Sequence, residues 1–373
     1  MKFTPLVLAA AAASLFTTAH AADGAPDIKI SGFGTIGATV TDDGDLQFRK
    51  TFTNGTGVDD KIDLGSESRL GLQGDVRFGN GLSVTAQLVA MRRLTGGTAA
   101  APVDKDLDPG VEWLFAQYQI NDAFNVRLGR MQLPAFLLSD SLNVGYAAPW
   151  MRAPVHLYAS EPFSRADGLQ GNWRQSFGGV NLGAQLTYGR TAATILLGTV
   201  GERKADYVAG LNFTVESGNW LGRAGGVEMK FPSPSGALDP IKDQYVGLGL
   251  QYDDGRLLVM SEWAKRSEND QRALGNRPLV EGDYAYVSAG WRFGKLLPMV
   301  TWGQGDNTAF LGTSFVTDTG SSIGASLRYD VAPNVALKAQ VDRYKANDGS
   351  VFITRAPDDH AVHVFTAGVD FVF

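Results

Sequence analysis

The amino-acid sequence predicts an all-β protein, a transmembrane antiparallel β-barrel of about 16 strands, and three observations carry that reading. Apolar residues recur with a period of two, in segments of about ten residues, the length a tilted membrane strand requires. Tight turns alternate with long polar connections along the chain. The last segment is an apolar strand pattern that ends on an aromatic residue, Phe373.

The chain opens with Met1-Lys2, an apolar stretch over 6–16 and the small-x-small triplet Ala19-His20-Ala21. This is the pattern of a secretory signal peptide, so residues 1–21 are expected to be removed and 22–373 to form one barrel domain. No later apolar run reaches the roughly 18 residues of a spanning helix. With 45 Gly, no Cys and a mean hydropathy of −0.08, the composition resembles that of a soluble protein. A barrel strand, however, needs lipid-compatible side chains only at every second position. The 33 basic and 39 acidic residues give a net charge of −6 and are scattered, which excludes a nucleic-acid-binding surface.

The arms are legible one by one. Leu70, Leu72, Val76 and Phe78 alternate with Gly71, Gln73, Asp75 and Arg77. After the turn Gly79-Asn80-Gly81 comes Leu82, Val84, Ala86, Leu88 and Ala90 against Ser83, Thr85 and Gln87. Phe124, Val126 and Leu128 alternate with Asn125, Arg127 and Gly129; Leu182, Ala184, Leu186 and Tyr188 with Asn181, Gln185 and Thr187. Val335, Leu337, Ala339 and Val341 alternate with Lys338, Gln340 and Asp342, and Phe365, Ala367, Val369, Phe371 and Phe373 with polar or small residues. Short turns at 121–122, 178–179, 217–219, 253–255, 294–295 and 332–334 contrast with polar stretches at 50–65 and 95–110, so the two ends of the barrel differ. The pattern blurs between 190 and 230. Trp113, Tyr118, Phe124, Trp173, Tyr188, Trp220, Tyr252, Trp291, Phe293 and Tyr329 fall near strand ends, where an aromatic girdle sits.

These residues resemble the Gram-negative trimeric porin family. Phe373 matches that family's terminal phenylalanine, used in barrel assembly; 28–40 resembles its opening strand, and Val126-Arg-Leu-Gly-Arg-Met131 the strand leading into its inward-folded third loop. The resemblance implies a homotrimer in the outer membrane, in contact with its lipid, passing small hydrophilic solutes and ions by diffusion. It also implies a third loop that meets a basic cluster on the wall. The matching loop, 133–165, is rich in apolar residues such as Phe136, Leu138, Trp150 and Leu157 and must pack on something: the lumen wall is the natural partner, and a cap over the mouth or a contact within the trimer is the alternative.

By alternation Arg69, Arg77, Arg127, Arg174, Arg292, Arg328 and Lys338 point into the lumen, with Arg93 near the outer end. A lipid-facing arginine at mid-depth costs roughly 2–4 kcal/mol. On the loop, Asp140, Glu161 and Asp167 are the acidic candidates, with Asn143, Arg152, His156 and Arg165 as further polar groups. Opposed charges there set a transverse field across the narrowest point. The arginine set suggests tolerance of anions, so a channel selective for organic anions or phosphate-like solutes is the nearest rival; an outer-membrane barrel enzyme and a β-rich adhesin are more distant ones.

No cofactor or metal is expected. Gly32-Phe-Gly-Thr-Ile-Gly37 spells a dinucleotide fingerprint, but Ala38-Thr-Val-Thr41 continues a strand where that site needs a helix. His360 and His363 would fall on opposite faces of a strand, and no G-x-S-x-G elbow occurs.

Overall fold

A computed structural model describes residues 26–98, 100–197, 199–233, 238–310, 314–345 and 360–373; the leader expected at 1–21 lies outside these. The strands are β1 (Asp27–Thr41), β2 (Arg69–Arg77), β3 (Leu82–Gly97), β4 (Pro102–Gln119), β5 (Phe124–Gln132), β6 (Arg165–Phe177), β7 (Val180–Arg190), β8 (Ala192–Leu197) and β9 (Thr199–Lys204). They continue as β10 (Tyr207–Ser217), β11 (Trp220–Phe231), β12 (Ile241–Asp253), β13 (Leu257–Glu268), β14 (Val280–Trp291), β15 (Leu296–Phe310), β16 (Phe315–Ala332), β17 (Val335–Lys345) and β18 (Ala361–Val372). Sixteen of them close an antiparallel barrel, with β7 paired to β10 and β1 to β18, while β8 and β9 form a separate hairpin.

Closure depends on the chain's end. The Phe373 amide donates to the Gly32 carbonyl at 2.9 Å and the Gly32 amide donates back at 2.8 Å. The rings of Phe371 and Phe373 stack with centroids 6.3 Å apart and lie where a side chain on Gly34 or Gly32 would be. The glycines of the fingerprint-like run therefore admit two aromatic rings across the seam.

Burial is inverted relative to a soluble domain. On β12, Val246, Leu248 and Leu250 are 45–55% exposed, whereas the alternate residues Asp243 and Tyr245 are at 0% and 1%. The apolar face looks outward, as lipid requires, and the polar face looks in. Gly79 and Gly81, at φ +76° and +85°, supply the left-handed backbone of the β2–β3 turn.

Three departures from the sequence reading concern the loop end. The 95–110 stretch is mostly strand: β3 runs to Gly97 and β4 starts at Pro102, held by polar pairs such as Arg92 Nε to Asp106 Oδ1 at 2.5 Å. The segment where periodicity blurred holds the β8–β9 hairpin, which is no part of the wall. Trp113 shares the parity of Phe115 and Gln117, which face the lumen, so it is no girdle residue, while Tyr118, Tyr188, Trp220, Trp291 and Phe293 are 45–63% exposed on the outside.

Candidate pore lining and constriction

The connection 133–164 between β5 and β6 enters the barrel. Pro134, Pro149, Pro154 and Pro162 break it into short turns and one four-residue helix, α1 (Val155–Tyr158), which starts directly after Pro154. It is fixed against the β13–β18 side of the wall. The Leu137 amide donates to Glu262 Oε2 at 2.6 Å, and Tyr158 and Tyr286 donate to Glu262 Oε1 at 2.6 and 2.9 Å. Trp150, 1% exposed, donates its indole N–H to Ser288 Oγ and Thr301 Oγ1, both at 3.1 Å, and stands edge-on to Tyr286. Gln340 Oε1 accepts the amides of Met151 and Arg152 at 3.0 Å each.

The first loop, which composition marks only as polar, also folds inward. Leu46 and Phe48 pack with Val155, Ala159, Tyr344, Val362 and Val364. Arg152 bridges Glu67 Oε1 at 3.1 Å and Asp342 Oδ2 at 3.0 Å, with Phe48 under its plane at 4.6 Å, and Lys50 reaches Glu67 Oε2 at 2.9 Å. Burial pushes the Glu67 carboxyl up, but Lys50 and Arg152 outweigh it and hold the group below the usual carboxylate range. The β8–β9 hairpin leans on the same loop, its Leu196 amide donating to the Phe52 carbonyl at 2.9 Å. A cavity of about 300 Å³ lies between these loops, bordered by Lys50, Arg69, Arg93, Leu142, Arg152 and Ala193.

The wall across the barrel from these anchors is formed by β3 to β7, with β8 and β9 outside it. Arg127 projects inward from β5, its guanidinium donating to Gln117 Oε1 at 2.8 Å and Gln170 Oε1 at 3.2 Å and lying over Phe115 at 4.9 Å. Asp140, exposed on the third loop, is the carboxylate that acts on Arg127; Arg223 feels Glu262 first and Asp140 only weakly. Enclosure raises the Asp140 pKa, and those two guanidiniums oppose the shift. Arg223, 5% exposed, also donates to the Pro134 carbonyl and so fixes the start of the loop.

The other predicted charges divide into groups. Arg93 and Arg165 both bind Glu112 Oε1, at 2.6 and 3.2 Å; Arg174 pairs with Glu216 at 2.9 Å; Arg77 lies 3.9 Å from Asp27. Each of these wall arginines has a carboxylate beside it, which weakens the anion tolerance read from the sequence. Arg69 lies in the field of Glu67 but makes no such bond through its Nε, which is buried with no hydrogen-bond partner among the described residues. Arg328 and Lys338 face inward but hold loop carbonyls, Tyr146 and Ala148 for Arg328, Gly145, Ala148 and Trp150 for Lys338. Arg292 follows the end of β14 and caps a tight turn through Asp253 at 2.6 Å.

Two acidic candidates need correction. Asp167 is on β6, not on the loop, and strand parity turns it outward with Leu169; it pairs with Arg130 at 2.7 Å on the exterior. Glu161 is on the loop but 5% exposed, close to Arg266, Asp243 and Glu268 at the wall, and not free in the passage. Asn143 borders the loop cavity, while Arg152 and His156, 4% and 2% exposed, are part of the packing. The sequence reading missed Glu67, Glu112 and Arg223; Glu112 is a strand-bulge residue, opposite the shift between Gln87 and Leu88, so alternation does not predict its direction.

Comparison with known families decides the class: the Gram-negative porin family matches residues 8–349. The chain belongs to the Gram-negative porin family. It is an outer-membrane porin, a channel-forming barrel. Similar solved structures include OmpF of Salmonella typhi, in complex with daunomycin, at 16% identity and a TM-score of 0.58, covering 95% of this chain and 99% of that one. An anion-selective porin of Comamonas acidovorans aligns at 14% identity and TM-score 0.54, covering 93% and 100%. A trimer form of OmpT of Vibrio cholerae aligns at 12% and 0.59, covering 94% and 100%. At these identities the likeness shows the fold. Curated protein sequences gave no match.

Proposed function

We propose that this porin passes small hydrophilic solutes and ions down their gradients, filtered at the level where Asp140 on the third loop faces Arg127 and Arg223 on the wall. One observation carries the reading: the third loop is bonded to one side of the lumen and leaves Asp140 exposed, within the field of Arg127 and Arg223. A fixed carboxylate opposite fixed guanidiniums orients dipolar solutes and disfavours apolar ones. The energy source is the gradient, and no catalytic group is assigned.

The mature protein would be a homotrimer in contact with outer-membrane lipid, exported through a leader removed after residue 21, with Phe373 as its assembly signal. Support comes from the sequence of 1–21, from the trimeric OmpT form and from the closure bonds of Phe373. Liposome swelling with sugars of increasing size tests the diffusion reading. Rates should fall steeply with solute radius, and the absence of swelling with the smallest sugar would reject it.

A second reading, a channel selective for anions, draws on the Arg69 Nε that lacks a partner among the described residues. A strong anion preference in the reversal potential would favour it.

A further inference from the structure

Carboxamides recur among the inward side chains of β4 to β7, at Gln117, Asn125, Gln170, Asn172 and Gln185. Asn172 donates its amide to Asn125 Oδ1 at 3.0 Å, and Gln185 donates to Asn172 Oδ1 at 3.1 Å, making a chain across three strands. Beside it, Gln117 and Gln170 accept from Arg127 at 2.8 and 3.2 Å, and Gln170 donates to Thr187 Oγ1 at 3.0 Å. A second chain lies on β2 and β3, where Gln87 donates to Gln73 and Gln73 to Asp75, each at 2.9 Å.

We propose that this amide-lined wall is a binding track for neutral polyhydroxylated solutes, sugars in chemical class, within the passage. The inference rests on the diffusion reading above and specifies which solutes the channel favours.

The argument is one of matching. A carboxamide carries two donor hydrogens and an acceptor oxygen, and the members at the ends of these chains are held by a neighbour through only one end. The Asn125 and Gln117 amide groups and the Gln185 carbonyl have no partner among the described residues, and all three side chains are partly exposed. The wall therefore presents both free donors and a free acceptor, held before a solute arrives, so little ordering entropy remains to be lost on binding. A hydroxyl, both donor and acceptor, exchanges its water contacts for such a wall at little cost. An inorganic or carboxylate anion gains no comparable compensation for shedding its water. The charge that does face this strip, Arg127, has Asp140 acting on it, and two further wall guanidiniums on these strands have carboxylate partners: Arg174 with Glu216, and Arg165 with Glu112.

The test is potassium chloride conductance of the reconstituted full-length protein in a planar bilayer with maltotriose added, against polyethylene glycol of equal hydrodynamic size. Maltotriose should reduce conductance saturably and the polymer should not. In an Asn125→Ala/Asn172→Ala variant the half-blocking concentration should rise about ten-fold, the loss of one to two neutral hydrogen bonds. Conductance without sugar should increase as the passage widens. Equal, unsaturable effects of sugar and polymer would overturn the proposal, as would a variant with unchanged block or saturable block by citrate and none by sugar. If the double variant fails the heat-dependent gel shift that marks a folded barrel, Gln185→Ala reads out the same effect from the end of the chain. Wild-type protein with no conductance would instead reject the diffusion reading.

Discussion

Arg152 on the third loop lies between Glu67 on the first loop and Asp342 on β17, at 3.1 and 3.0 Å, with every partner buried. Two inward-folded loops and the barrel wall thus share one guanidinium. Removing one member of such a group leaves buried charge uncompensated, at a cost of roughly 3–5 kcal/mol. Arg152→Met should lower the thermal midpoint of the folded barrel and give a noisier, larger single-channel current, as both loops lose their tie. An unchanged midpoint and a quiet trace would show that the loops are held without it.

Asp140 should govern ion preference. Asp140→Asn removes the carboxylate facing Arg127 and leaves that guanidinium without an opposing charge, while Arg223 keeps Glu262. The cation-to-anion permeability ratio should fall by about two- to five-fold, corresponding to roughly 0.5–1 kcal/mol for one charge across a solvated gap. The reversal potential in a salt gradient reads this, and the shift should shrink as ionic strength rises.

Glu161 gives a pH dependence of known sign. Burial raises its pKa to about 8, Arg266 opposes the shift, and Asp243 and Glu268 add to it. A carboxyl that holds its proton more tightly in the folded state contributes stability that is complete below its ordinary value of 4.5 and is lost as pH climbs through about 8. The thermal midpoint should therefore fall between pH 6 and pH 9, and Glu161→Gln should flatten that fall. A variant that keeps the full slope would assign it to other groups.

Arg130 and Asp167 form a double contact, 2.7 and 2.8 Å, on the outer wall amid Leu114, Leu128 and Leu169, which are 52–64% exposed. Asp167→Leu strands a cation on an apolar surface, where an arginine at mid-depth costs roughly 2–4 kcal/mol. Stability in urea should drop, and Arg130→Leu/Asp167→Leu should restore it. A double variant as weak as the single one would mean that the pair contributes more than mutual neutralisation.

The barrel itself is legible in the sequence because a wall between lipid and water imposes one rule on every second residue, and arms such as 70–78 and 335–342 obey it at their apolar positions. What alternation does not carry is partnership. Arg328 and Lys338 do turn inward, yet both hold loop carbonyls, a role visible only once the third loop has a path through the lumen. Asp167 is misplaced by the sequence because the strand begins two residues earlier, at Arg165, and a shift of one position reverses the facing of every side chain. The inward course of the first loop has no periodic signature; its anchors, Phe48 and Glu67, are single residues in a polar stretch.

Single-channel conductance of the purified, full-length protein in a planar bilayer tests the central claim most directly. Stepwise openings, grouped in threes with a weak ionic preference, are the predicted result. A correctly folded sample that inserts and yet conducts nothing would contradict the account.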